Sequence, residues 1–142
     1  MPEGPILNQV NLVVSDMEAA VAFYRRLGVA VPDADPAWDD DHRAATMPGG
    51  VELDLDSARS VKMWDKGWPA DRRGPVVGFS VPTREAVDET YAELIGAGVK
   101  GQQPPFDAFW GSRYAVVEDP DGNAVGIMSP QDPERRGPAS EL

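Results

Sequence analysis

Polar and apolar residues alternate along Leu7-Asn8-Gln9-Val10-Asn11-Leu12-Val13-Val14. Val10, Leu12 and Val14 fall on one face and Gln9 and Asn11 on the other, which predicts a half-buried strand. The period then lengthens: Met17, Ala20, Val21, Tyr24 and Leu27 recur at helical spacing. Ser15 and Glu18 stand at the separation of a capping box, and Gly28 supplies a stop. After a loop rich in Pro and Asp, from Pro32 to Asp41, short strands are predicted at His42 to Met47 and Val51 to Leu55. Met47-Pro48-Gly49-Gly50 forms the turn between them.

The second half repeats the plan. Val76-Val77-Gly78-Phe79-Ser80-Val81 reads as a strand, and Thr83 caps a helix that carries Ala86, Val87, Tyr91, Leu94 and Ile95 on its apolar face and ends at Gly96 and Gly98. Strands are predicted again at Ser112 to Glu118 and Ala124 to Met128, around the turn Asp119-Pro120-Asp121-Gly122. A shift of 67 residues lays Val14 on Val81, Glu18 on Glu85, Ala19 on Ala86, Tyr24 on Tyr91 and Leu27 on Leu94. A duplicated β-α-β-β-β unit is the simplest reading. It gives an α+β domain over residues 1–142, with module one at about 6–60, module two at about 74–129, and a poorly packed tail at 130–142.

Composition narrows the chemistry. The 142 residues include no Cys, which excludes disulfides, thiolate catalysis and Cys-based metal sites. His42 is the single histidine, so no site needing two imidazoles fits in one chain. Twenty-four acidic residues against 13 basic ones give a net charge of -11, which disfavours general nucleic-acid binding. Without a long apolar run or a basic, apolar N-terminal signal, a cytoplasmic protein with no membrane partner is expected. The pattern of a phosphate loop and that of a nucleophile elbow are both missing.

The run Gln9 to Asp16, followed by Ala22-Phe23-Tyr24 and Leu27-Gly28, resembles the opening module of the vicinal-oxygen-chelate superfamily. So does Trp110-Gly111-Ser112-Arg113-Tyr114 through Asp119-Pro120-Asp121-Gly122-Asn123. That superfamily holds glyoxalase I, extradiol dioxygenases, fosfomycin-modifying enzymes and bleomycin-resistance proteins. The resemblance implies paired modules whose sheets curl around a cavity, with helices outside, in a homodimer. Its enzymes place His, Gln or Glu at four cavity positions. Carried over, these fall on Gln9, Glu52, Val76 and Gly126, and the last two have no side chain able to coordinate. Gln9 and Glu52 are the only metal-ligand candidates this leaves. A rearranged site drawn from Gln9, Glu52, Asp54 and His42 matches no ligand spacing. His42 reads instead as a polar residue ending the Asp-rich loop. Glu52 is either paired within the cavity or turned toward a ligand.

The cavity wall in the first half carries Gln9, Asn11, Glu52 and Asp54. In the second half Val76, Gly78, Ala124, Gly126 and Met128 occupy the corresponding face, where the two glycines leave room for a ligand or ease a strand bend. Trp64 and Trp68 lie in the connection between modules, Trp110 stands near Phe106, and these rings suit stacking on a flat ligand. Trp38 is expected to cover a core end or an interface. Five aspartates between Asp33 and Asp41 form a solvated loop that attracts cations. Arg113 either clamps a ligand carboxylate or pairs with a surface acid.

The expected ligand-binding set is Gln9, Asn11, Glu52, Trp64, Trp68, Phe106, Trp110 and Arg113, with no catalytic residue and no cofactor. By resemblance to the metal-free branch, the expected role is to sequester a small aromatic or cationic antibiotic or toxic metabolite. The alternative is a metal-dependent lyase, isomerase or dioxygenase with an altered site.

Overall fold

The computed structural model describes residues 4–27, 29–38, 40–72, 74–118, 120 and 122–139. In chain order the elements are β1 (Ile6–Val14), α1 (Met17–Leu27), β2 (His42–Thr46), β3 (Glu52–Ser57), α2 (Ala58–Trp64), β4 (Gly74–Ser80), α3 (Arg84–Gly96), β5 (Lys100–Asp107), β6 (Arg113–Glu118) and β7 (Ala124–Met128). The strands form one mixed sheet in the order β2-β3-β1-β4-β7-β6-β5. Each module's first strand pairs in parallel with its last, β1 with β3 and β4 with β7. The modules meet where β1 and β4 run antiparallel with Val10 opposite Val77. Those two residues are equivalent under the 67-residue shift, so the pseudo-two-fold axis of the duplication passes between them.

The repeat is less complete than the sequence predicts. Module two is β-α-β-β-β, but among the described residues module one has two strands after its helix. Where module two has β5, module one has the Pro- and Asp-rich loop, with a 3-10 turn at Pro36–Trp38. Pro and Asp are poor strand formers, and the loop's two prolines lack the donors a ladder needs. β5 also holds consecutive prolines, Pro104 and Pro105, yet it survives because it is an edge strand whose register to β6 shifts around them.

The connection between modules begins with a helix. Ser57 caps α2 by accepting the Ser60 N–H at 3.0 Å, and Val61 and Trp64, one turn apart, are both buried. In α1 the cap is Asp16, which accepts the Ala19 N–H at 3.0 Å, one residue beyond the expected Ser15. Thr83 caps α3 as expected, accepting from Ala86 N at 3.0 Å. The Gly28 stop, the Leu27 side chain and two residues of the expected turn, Asp119 and Asp121, lie outside the described residues.

Apolar side chains separate onto the two faces of the sheet. On the outer face α1 lays Met17 and Val21 on Leu55, with Leu12 and Val14 alongside. There α3 lays Val87 among Val81, Ala115, Val117 and Ile127. Val10, Val77 and Phe79 stay half-buried outside both clusters, and Ile95 is exposed. On the inner face Val61, Trp64 and Trp68 pack with Val13, Val76, Tyr114, Val116 and Ala124. The second module's half of the interior is thus filled by side chains, most of them apolar. Gly78 and Gly126 leave no room for a ligand. A Cβ on Gly126 would stand 2.5 Å from the Tyr114 hydroxyl, and one on Gly78 would stand 3.2 Å from Gln9 Cβ.

The expected loose tail is exposed but attached. Asp132 N–H donates to the Gly111 carbonyl at 3.0 Å and Gly137 N–H to that of Phe109 at 2.9 Å. Gly111 has φ +101°, and a Cβ there would strike the Asp132 carbonyl, so only glycine lets the tail cross at this point. Among the described residues no helix is long and apolar enough to cross a membrane.

Trp68 is 2% exposed and belongs to the inner core. Trp68→Ala should lower unfolding free energy by about 3–5 kcal/mol, the usual cost of an emptied aromatic site, measured by urea denaturation.

Candidate functional site

The polar half of the inner face is open. A cavity of about 250 Å³ lies between a wall of Gln9, Asn11, His42, Glu52, Asp54 and Asp56 and an opposing wall of aromatic rings. The polar wall follows from strand alternation. Glu52, Asp54 and Asp56 point to one side of β3 while Leu55 points to α1 on the other. Folding β2 back over its turn sets His42 directly opposite Asp56.

Asp56 is fully buried and fully engaged. Its Oδ1 lies 2.8 Å from His42 Nδ1 and accepts from Ser60 Oγ at 3.0 Å, while Oδ2 accepts from Asn11 Nδ2 at 2.9 Å. Burial alone would raise its pKa. The charge and hydrogen bond of His42, with the Asn11 and Ser60 donors, outweigh burial and hold it below the ordinary carboxylate value. His42 responds in the opposite sense. Burial pushes it down, but Asp56, helped by Glu52 and Asp35, leaves it above 6.5. With Nδ1 committed, the other nitrogen, Nε2, lies 3.7 Å from Asp54 Oδ2. Asp54 is nearly as buried as Asp56 but poorly served. Gln9 Nε2 donates to its Oδ2 at 3.0 Å, and its Oδ1 has no partner. Burial, then the adjacent Glu52 carboxyl and Asp56, push it well above the ordinary value.

The facing wall is a chain of edge-to-face rings. Trp38 packs on His42 at 5.8 Å between centroids and on Phe109 at 5.7 Å. Phe109 meets Trp110 at 5.2 Å, Trp110 meets Tyr114 at 5.3 Å, and Tyr114 meets Trp64 at 5.8 Å. Trp110 Nε1 donates only to the Met128 thioether, at 3.3 Å. The tail closes one side with Gln131, Arg136 and Ala139, and the Arg136 guanidinium stands 4.5 Å from the Trp38 ring.

Of the residues expected here, Gln9, Asn11, Glu52, Trp64 and Trp110 line the cavity. Trp68 does not, because it is core, and Phe106 packs behind Trp110 and Tyr114. Arg113 turns outward to Asp88 at 2.9 Å and Asp107 at 3.3 Å. Two placements differ from expectation: Trp38, expected to cover a core end or an interface, lines the cavity, and His42, first residue of the strand predicted there, stands on the cavity wall rather than only ending the Asp-rich loop. Asp56, Phe109 and Tyr114 were not anticipated. Asp56 merely continues the alternation of Glu52 and Asp54, and folding the two strands about the predicted turn would have set it against His42.

The metal that the superfamily's enzymes use does not fit this donor set. Gln9 and Glu52 are register partners, as a shared site requires. Across the sheet, however, the register partner of Val76 is Ala124 rather than Gly126, and hydrocarbon fills both positions. Among the described residues no group of three His, Cys, Asp or Glu side chains is placed to hold a metal ion.

Comparison with known proteins agrees with the topology. The chain resembles a NAD-dependent benzaldehyde dehydrogenase from Legionella pneumophila at TM-score 0.65 and 22% identity, covering 86% of this chain and 97% of that one. It resembles methylmalonyl-CoA epimerase from Mycobacterium tuberculosis at 0.61 and 20%, covering 89% and 88%. The Mn(II)-bound glyoxalase from Novosphingobium aromaticivorans aligns at 0.60 and 21%, over 96% of this chain but only 41% of the longer glyoxalase. At such identities the likeness is one of fold. No curated protein matches the sequence.

The single imidazole makes the electrostatics directly testable. The His42 resonances should titrate above pH 6.5, and Asp56→Asn should lower that midpoint, as read by NMR. Because the folded pKa is the higher, His42 adds stability that is fully present below pH 6.5 and is lost as pH rises through the folded value. Asp54 costs stability once it would ionise in the unfolded chain, so Asp54→Asn should raise the melting temperature at pH 7, with the gain vanishing below about pH 4.

The sequence profile of the Glyoxalase/Bleomycin resistance protein/Dioxygenase superfamily matches residues 6–127, and the chain belongs to that superfamily.

Proposed function

We propose that this protein binds a small, cationic aromatic molecule in the 250 Å³ cavity and sequesters it without a metal. The observation that carries this reading is the pairing of walls: the Glu52 and Asp54 carboxyls on one side, and the rings of Trp38, Phe109, Trp110 and Trp64 on the other. Carboxylates in a partly dry site attract a cation strongly, and ring faces add cation–π and stacking contacts. The cavity is slightly smaller than a typical drug-sized pocket, which favours a ligand of one or two rings. The net charge of -11 raises the local concentration of such cations. In this reading the protein acts stoichiometrically, as a homodimer, against an antibiotic or toxic metabolite.

A naphthylmethylammonium probe should quench tryptophan fluorescence saturably, and chelator should leave the binding unchanged. Trp110→Ala should weaken it about fivefold or more, equivalent to about 1 kcal/mol of lost ring contact. Glu52→Gln should weaken the cation but not a neutral naphthalene analogue. Equal affinity for the cation and the neutral analogue would overturn the assignment.

A further inference from the structure

We propose that the cavity is also catalytic, with His42 as the base that removes a proton from the amine-bearing carbon of an aromatic α-amino ketone. The inference rests on the binding reading above and adds a reaction to it. Three observations carry it. The imidazole is held from behind: Nδ1 lies 2.8 Å from Asp56 Oδ1, and Asp56 is fixed in turn by Asn11 and Ser60, so one nitrogen is oriented and the other is left to the cavity. That second nitrogen, Nε2, faces Asp54 Oδ2 at 3.7 Å, while Asp54 Oδ1 is a buried acceptor with no donor among the described residues. A substrate ammonium seated on Asp54 would supply that donor and bring the hydrogen on its neighbouring carbon beside Nε2. Finally, Trp110 Nε1 donates to nothing better than a thioether, which a carbonyl oxygen would outcompete as acceptor.

The substrate class follows from the chemistry. A carbon between a ketone and an ammonium group is acidified by both, and an attached aryl ring suits the facing wall of aromatics. In the forward step the C–H bond breaks, its proton moves to Nε2, and its electron pair moves through the carbon–carbon bond onto the carbonyl oxygen. In the return step the imidazolium gives a proton back to the same face of the carbon, or to the opposite face where the enol has turned over in the cavity. The net result is proton exchange, or inversion where that carbon is a stereocentre, and no co-reactant is consumed. Asp56 is a positioning residue in this scheme, because it acts only through His42.

The test uses 2-amino-1-phenylethanone in deuterated buffer, with loss of its methylene protons followed by NMR and binding followed by tryptophan quenching. The protein should exchange these protons at least tenfold faster than the same concentration of free imidazole. At saturating probe, His42→Ala should bring the rate down to the free-imidazole level, and added imidazole should restore it, which a purely structural histidine would not allow. Asp56→Asn should lower the maximal rate tenfold or more while leaving the half-saturating concentration unchanged. Quenching without accelerated exchange, or exchange that survives His42→Ala, overturns the catalytic inference and leaves the binding reading standing. No quenching by this probe or by the naphthyl cation overturns both.

Discussion

A charge sealed inside a protein must be matched or abandoned, and the architecture of the first module is organised around matching one. The Asp56 carboxylate is fully buried, and its three partners come from three different elements: Asn11 from β1, His42 from β2 and Ser60 from α2. Removing any one leaves an acceptor short in a place water does not reach. The strand order, the hairpin register and the first turn of α2 therefore converge on a single group. An apolar residue at this position would be easier to bury, and a buried ion pair of this kind is weak evidence for stability in itself. What it provides is orientation. An imidazole with one nitrogen tied to a fixed carboxylate has one available direction for the other.

The two neighbouring carboxyls show why position on a strand decides chemistry. Asp54 and Asp56 are two residues apart on the same face of β3, and both are nearly or wholly buried. One meets a cation and two donors, the other a second carboxyl and one amide, and their affinities for protons move in opposite directions. The aromatic wall opposite completes the contrast. It offers no strong acceptor and, in Trp110, an indole N–H spent on sulfur.

Much of this was legible from residues alone. The alternation in β1, the helical period of α1 and the Thr83 cap gave elements close to those found, and the 67-residue shift revealed the duplication whose pseudo-axis the structure places between Val10 and Val77. β5 escaped because Gln102, Gln103, Pro104 and Pro105 carry no apolar alternation, and an edge strand needs none. The helix α2 escaped because seven residues hold too few turns to display a period. In the site, side chains that alternate along β1 and β3 were readable. Trp38, His42 and Phe109 were not, because a loop and a hairpin bring them to the cavity from segments whose local pattern says only that they are polar or aromatic. Trp68 was misplaced for the converse reason. A tryptophan in a Gly- and Asp-rich stretch looks like a loop ornament until the short helix before it turns it inward.

The pseudo-axis also divides labour. A symmetric duplication would place two equivalent hollows on the inner face, one under each module. Here α2 and Trp68, which follow the first module, have plugged the second hollow with hydrocarbon and left the first to polar side chains. Most of the packing has thereby gone to one half of the repeated design and the polar groups to the other, with Trp64 and Tyr114 shared between core and cavity. The plugged half can support the domain whatever the open half is asked to bind, so the wall residues outside the Asp56 set, Gln9 and Glu52, are free to drift toward new ligands, while Asn11, His42 and Asp56 stay tied to the fold.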